Sequence, residues 1–199
     1  MLEENCSIEV FATELRRRIQ EGKGDAQANC SPLSHESLRN EALIAESLAR
    51  QEGLWIEFPD IFNLGTPFPS GVENDVYLNS NGNLIYKVNN LMTSKSILSL
   101  LDRLLIHNSI FPQTNYRLKG MTGFGNGSVY PVLCQDFIPN EREATPIEID
   151  TYMAALSFTK LGEATYENGD VVISDLHPRN VLRDADGDFF VIDAEFKVK

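Results

Sequence analysis

Three polar residues near the C-terminal end of the chain have the side-chain chemistry that phosphoryl transfer requires. They are Asp175, Asn180 and Asp193, and each lies at the edge of a short apolar segment. One carboxylate can orient or deprotonate an acceptor hydroxyl, while an amide oxygen and a second carboxylate can hold the Mg²⁺ that neutralises nucleotide phosphates. The spacing therefore indicates a Mg-nucleotide-dependent phosphotransferase, although Asp and Asn are also common in plain surface turns.

The two segments that carry these residues resemble consecutive loops of kinases. Residues 175–180, Asp-Leu-His-Pro-Arg-Asn, resemble the catalytic loop, and residues 191–195, Val-Ile-Asp-Ala-Glu, resemble the metal-binding loop. With histidine two residues after the first aspartate, the catalytic loop is more similar to those of small-molecule and atypical kinases than to those of eukaryotic protein kinases. The whole chain looks most like the compact kinase-like domains of polyvalent proteins of phages and mobile elements.

This resemblance implies ATP and Mg²⁺ as cofactors and a role for each polar residue. Asp175 would be the catalytic base or the carboxylate that orients the acceptor, and His177 would lie near the γ-phosphate or the acceptor. Asn180 and Asp193 would hold the magnesium. The acceptor would be a hydroxyl of a protein or a small molecule, which the sequence does not identify.

A hairpin upstream is similar to the nucleotide-holding part of a kinase small lobe. Predicted strands over 76–78 and 84–88 flank a turn with the strong Asn-Gly signal. The resemblance places Lys87 on the α- and β-phosphates and Val76 against the adenine. Of the three glycine positions of the kinase phosphate loop, only the one at Gly71 is occupied by glycine.

Two further kinase features are the hinge that binds adenine and the carboxylate that pairs with the lysine. The segment 135–138, Gln-Asp-Phe-Ile, falls where a kinase hinge begins, and the resemblance implies hydrogen bonds to the adenine edge from the Asp136 carbonyl and the Ile138 amide. The carboxylate that usually pairs with the kinase lysine has no obvious counterpart. Either one of Glu41, Glu46 and Asp102 pairs with Lys87, or no acidic residue does.

The predicted elements give an α+β chain. Apolar spacing indicates helices over 1–21, 36–51, 93–107 and 146–164, a polar linker over 22–34, a strand over 61–64, and a hairpin over 116–124 and 128–138. The resemblance implies a bilobal minimal protein-kinase-like fold of three parts: an N-terminal helical extension (1–55), a small lobe with an antiparallel β-sheet (56–138), and a truncated, mostly helical large lobe (139–199).

Composition limits the classes of partner. The formal net charge of −12 disfavours nucleic-acid binding, which needs many Lys and Arg residues to displace counterions. No apolar run has the length of a membrane span and residues 1–20 lack a signal-peptide core, so we expect a cytoplasmic protein that does not bind membranes. Cys6, Cys30 and Cys134 are an odd number without metal spacing, which favours reduced thiols.

A second hypothesis is a pseudokinase-like module that binds a nucleotide, or nothing, and acts through its surface. The single glycine of the phosphate loop and the missing glutamate favour it. Only six residues follow Asp193, so the large lobe would be cut short and a protein partner could cover it or complete it.

Overall fold

The fold is described by a computed structural model that covers residues 8–22, 34–139 and 141–199. The described part combines α-helices with antiparallel sheets, which confirms the α+β class. It divides into two compact units, one made of the described residues within 1–105 and 116–137 and the other of those within 106–115 and 138–199. In the described part, no helix is long and apolar enough to cross a membrane.

Three helices belong wholly or partly to the first unit: α1 (Ile8–Glu21), α2 (His35–Gln51) and the first part of α3 (Ile97–Ile110). Ser34 caps α2, its hydroxyl oxygen accepting from the Ser37 amide at 3.1 Å. The start of the predicted first helix, most of the predicted linker, Cys6 and Cys30 lie outside the described residues.

The third helix begins four residues later than predicted, at Ile97 rather than residue 93. Lys95 has a φ of +62°, which is not helical, and the Ser96 hydroxyl accepts from the Ser99 amide at 3.0 Å. A serine that bonds the amide three residues on is a typical helix start. The helix also runs on to Ile110, three residues beyond the predicted end.

The sheet of the first unit has five antiparallel strands in the order β1-β2-β3-β5-β4. Its strands are β1 (Thr66–Phe68), β2 (Asn74–Leu78), β3 (Leu84–Asn89), β4 (Arg117–Gly123) and β5 (Val129–Asp136). Both predicted hairpins are confirmed. The strand predicted over 61–64 is wrong, because Phe58–Asn63 forms a 3-10 helix with Pro59 in its first turn, where proline loses no hydrogen bond.

One apolar core joins the three helices to a face of this sheet. Phe11 and Leu15 of α1 and Leu48 of α2 are among its fully buried side chains, beside Leu101 of α3 and Leu133 of β5. Burial of side chains of this size stabilises a fold by about 1.5–3 kcal/mol each. The N-terminal helices are therefore part of the same hydrophobic core as the strands.

The second unit is richer in strands than the sequence suggests. Its elements after residue 138 are β6 (Arg142–Glu143), α4 (Pro146–Ala155), β7 (Thr159–Gly162), β8 (Thr165–Glu167), β9 (Val171–Ser174), β10 (Val181–Arg183), β11 (Phe189–Val191) and β12 (Glu195–Val198). They form a four-stranded sheet, β12-β9-β8-β7, and a three-stranded sheet, β11-β10-β6. The expectation of a mostly helical large lobe is wrong for the described residues.

The helix predicted over 146–164 ends at Ala155. Its start is as expected, since Thr145 and Glu148 form a reciprocal capping box and Pro146 occupies the first turn. Its end is set by Ser157, whose φ of +66° stops the helical path. Of the apolar residues that follow, Phe158 is buried outside the helix and Leu161 lies in strand β7.

Candidate functional site

Residues 175–180 form the loop between β9 and β10, and Asn180 closes it. The Asn180 side-chain amide donates to the Asp175 carboxylate and to the Asp175 carbonyl, both at 2.9 Å. The His177 amide donates to the same carbonyl at 3.0 Å, and His177 Nε2 lies 3.4 Å from the Asp175 carboxylate. The structure thus brings three of the predicted site residues into direct contact.

Asp175 has a backbone conformation that is unusual for a residue with a side chain. Its φ is +64°, in the left-handed region that aspartate and asparagine tolerate better than most residues. Such a conformation costs on the order of 1 kcal/mol or more and persists when surrounding bonds fix it. Here the bonds to the Asp175 carbonyl do so, while the side chain stays 53% exposed and accessible to an acceptor.

Asp193 lies in the short link between β11 and β12, and strand pairing places this link near the loop. Ser174, just before the loop, pairs with Glu195 of β12, and Val181, just after it, pairs with Val191 of β11. The Ile192 amide also donates to the Asn180 carbonyl at 3.0 Å. Because antiparallel partners lie side by side, Asp193 lies at the same end of the two ladders as residues 175–180.

A buried polar chain supports the strand that leads to Asp193. The Thr114 hydroxyl donates to the Val191 carbonyl at 2.6 Å, and His107 Nε2 lies 3.1 Å from the Thr114 hydroxyl oxygen. Both side chains are almost fully buried, and Phe111 and Phe196 contact the His107 ring edge-on. The sequence gives no signal for these supporting residues, since they come from a helix end and a turn far from the loop.

Lys87 lies on β3, where it is paired with Val76 of β2 and Leu133 of β5. Directly paired residues of an antiparallel sheet point to the same face. Phe68 of β1 pairs with Val76 and therefore shares this face, and its ring contacts Phe137 edge-on at 5.9 Å. The sequence carries no clear signal for a strand at Phe68, because residues 65–75 are rich in Gly and Pro.

The three acidic residues considered as partners of Lys87 have other partners. The Glu41 carboxylate accepts from the Ile97 and Leu98 amides and so caps the start of α3, and burial raises its pKa. Glu46 pairs with Arg50 at 3.0 Å. Asp102 pairs with Arg16 of α1.

The remaining residues predicted to contact the nucleotide are Gly71, Asp136 and Ile138. Gly71 is exposed, and a Cβ added there would meet nothing within 4 Å, so contacts among the described residues do not require glycine. Asp136 ends β5, with its carboxylate bonded to Arg117 at 2.7 Å. Ile138 is half-buried and belongs to the second unit.

Asn180 and Asp193 in the second unit carry the amide and carboxylate oxygens that Mg²⁺ prefers. In the described ranges, no group of three or more His, Cys, Asp or Glu side chains is arranged to hold a metal alone. Mg²⁺ needs no such group, because one or two protein ligands with phosphate oxygens and water complete its shell. The Asn180 amide nitrogen is bonded to Asp175, so the amide oxygen does not face that carboxylate and is an acceptor of the type that Mg²⁺ prefers.

Comparison with protein families finds a match over most of the chain. A protein-family model described as "Serine/Threonine/Tyrosine Kinase found in polyvalent proteins" matches residues 39–199. No curated protein and no solved structure matches the chain. The matched region is more than half of the chain and contains all the candidate residues above, from Glu41 to Asp193, whereas α1 precedes it.

Proposed function

Since the chain belongs to the serine/threonine/tyrosine kinase family found in polyvalent proteins, we propose that it transfers the γ-phosphoryl group of Mg-ATP to a hydroxyl of a protein or a small molecule. The observation that carries this proposal is the double hydrogen bond from Asn180 to Asp175. It joins the Asp175 carboxylate, which is suited to orient the acceptor hydroxyl, to the Asn180 amide, which is suited to bind the metal, within one loop.

Asp175 is the residue proposed to act on the acceptor. Its exposed carboxylate orients the hydroxyl and takes up its proton as the oxygen bonds to the γ-phosphorus and ADP leaves. His177 has one ring nitrogen 3.4 Å from that carboxylate, which supports its proposed role of holding the γ-phosphate or the acceptor. His177 Nδ1 is buried and has no hydrogen-bond partner among the described atoms.

Asn180 and Asp193 are proposed to hold Mg²⁺. When bound, the ion neutralises charge on the β- and γ-phosphates. The backbone bond from Ile192 to Asn180 keeps the two ligand segments in register. The buried Thr114 hydroxyl, bonded to Val191, fixes the strand that leads to Asp193.

The first unit is proposed to hold the rest of the nucleotide. Lys87 contacts the α- and β-phosphates, and Val76 and Phe68, on the same sheet face, contact the adenine. The Gly71 loop covers the phosphates. The Asp136 carbonyl and the Ile138 amide bond the adenine edge.

The proposed function is tested by a radiolabel transfer assay with γ-labelled ATP, magnesium and a mixture of peptide and small-molecule hydroxyl acceptors. Asp175→Asn keeps a side chain that tolerates positive φ, so it is expected to fold normally and to lower transfer at least about 100-fold. Asp186→Asn, at an exposed turn of the same unit, is the matched control and should transfer normally. Equal transfer by Asp175→Asn and the wild type would contradict the proposal.

A second candidate function is nucleotide binding without transfer. It is favoured by the engagement of Glu41 with the start of α3, of Glu46 with Arg50 and of Asp102 with Arg16. A thermal-shift titration beside the transfer assay separates the two, because a ligand stabilises the folded state by mass action whether or not it reacts. Stabilisation by Mg-ATP with no transfer to any acceptor, including the protein itself, would favour this candidate.

A further inference from the structure

Tyr116 holds the ammonium group of Lys87 through its hydroxyl. The Lys87 Nζ donates to the Tyr116 hydroxyl oxygen at 2.9 Å, and the same nitrogen lies 4.8 Å from the centroid of the Tyr116 ring. These two distances together place the ammonium group beside the hydroxyl edge of the ring. One hydrogen bond thus constrains the position of the ammonium group.

Tyr116 is itself fixed by the core of the first unit. It is only 5% exposed and belongs to the same buried cluster as Leu118 of β4, Leu133 of β5 and Leu101 of α3. A buried aromatic ring among such neighbours has few alternative rotamers, because protein interiors are close-packed. The hydroxyl is therefore a rigid reference point for the flexible lysine side chain.

We propose that Tyr116 is a positioning residue for nucleotide binding, acting through Lys87. This inference rests on the proposed function, in which Lys87 contacts the α- and β-phosphates. Lysine has a long side chain with considerable rotamer freedom, and a group that is ordered in advance loses less entropy when the phosphates bind. An ammonium group has three N–H donors, so a bond to Tyr116 is compatible with one to a phosphate oxygen.

The inference is tested by calorimetric titration of the full chain with Mg-ADP and, separately, with adenosine. The proteins are the wild type, Tyr116→Phe, Lys87→Met and the double variant, with Tyr77→Phe as the control for removing the hydroxyl of another buried tyrosine in the same unit. Tyr116→Phe keeps the ring and should weaken Mg-ADP about three- to tenfold. Adenosine affinity should not change, because adenosine lacks the phosphates that Lys87 contacts.

The double variant distinguishes positioning from a general structural role. If Tyr116 acts through Lys87, then Tyr116→Phe has no further effect on Mg-ADP affinity once Lys87 is methionine. Three results would overturn this inference and leave the proposed function standing. They are an additive loss of Mg-ADP affinity in the double variant, an equal loss of affinity for adenosine in Tyr116→Phe, and unchanged Mg-ADP affinity in Tyr116→Phe while Lys87→Met weakens binding. Absence of Mg-ADP binding by the wild type, or wild-type affinity in Lys87→Met, would overturn the proposed role of Lys87 and this inference with it.

Discussion

The side-chain amide of Asn180 donates to both the carboxylate and the backbone carbonyl of Asp175, each at 2.9 Å. These two bonds hold an aspartate whose φ is +64° and keep its carboxylate at the surface. The same residue presents its amide oxygen on the other side, where the proposed metal binds. In the proposed mechanism, Asn180 thus couples the geometry of the Asp175 carboxylate to that of the proposed metal ligands.

The first prediction concerns this coupling. Asn180→Ala removes both bonds, so we expect the free energy of unfolding to fall by about 1–2 kcal/mol. Phosphoryl transfer should fall about 100-fold, since small misplacements of reacting groups are costly. Urea denaturation and the transfer assay measure the two effects. Asn63→Ala, which removes an exposed bond to Asp60 in the first unit, is the control and should change neither quantity much.

The second prediction concerns the buried chain behind Asp193. Thr114→Val removes the hydroxyl that bonds the Val191 carbonyl and His107, and leaves both polar groups without that partner in a buried place. We expect a loss of about 1–3 kcal/mol in the free energy of unfolding by urea denaturation, with weaker magnesium-dependent binding of ATP. Thr151→Val, at an exposed helix position, should cost less than about 0.5 kcal/mol. Equal effects of the two variants would contradict a supporting role for Thr114.

The third prediction concerns the pH dependence that Glu41 gives to stability. Burial raises the pKa of its carboxyl in the folded protein, so the folded state binds more protons than the unfolded state. The wild type should therefore lose stability as the pH rises from the unfolded value near 4.5 through the raised folded pKa, with a slope of at most about 1.4 kcal/mol per pH unit.

Glu41→Gln removes this titration while its amide oxygen can still accept from the Ile97 and Leu98 amides. Relative to the wild type, the variant should gain stability with increasing pH over that window, as measured by urea denaturation at several pH values. A stability difference that does not depend on pH would show that Glu41 does not titrate with folding. Glu36→Gln, exposed in the first turn of α2, the helix that also carries Glu41, is the control.

The fourth prediction concerns α1, which precedes the region that matches the kinase family. Leu15 is fully buried in the core shared with the sheet, whereas Val10 of the same helix is 61% exposed. Leu15→Ala should cost about 2–5 kcal/mol of unfolding free energy, and Val10→Ala less than about 0.5 kcal/mol. A small effect of Leu15→Ala would mean that α1 is not needed for the core.

Local signals in the sequence predicted much of the fold correctly. The Asn-Gly turn defines the hairpin that carries Lys87, and Ser34 and Pro146 mark helix starts, because each of these acts on its own backbone. The wrong predictions occur where a short apolar run fits both the helical and the strand period. Residues after Ala155 continue a helical pattern, and only the positive φ of Ser157 ends the helix.

The site was predictable in part for the same reason. Asp175 and Asn180 are close in sequence, and their contact follows from a short loop. Tyr116, Thr114 and His107 reach their partners across long stretches of chain, so no local pattern indicates them. Glu41 was considered as a partner of Lys87 because of its charge, but two backbone amides at the start of α3 occupy its carboxylate.

The most direct test of the central claim is calorimetric titration of the wild type and Asp193→Ala with ATP, each in the presence of magnesium and of a chelator. We expect the wild type to bind ATP much more tightly with magnesium, and Asp193→Ala to lose that magnesium dependence, because Asp193 is the proposed carboxylate ligand. Asp186→Ala, at an exposed turn of the same unit, should behave like the wild type. Magnesium-dependent binding of normal affinity in Asp193→Ala would contradict the proposed metal site and the transfer chemistry built on it.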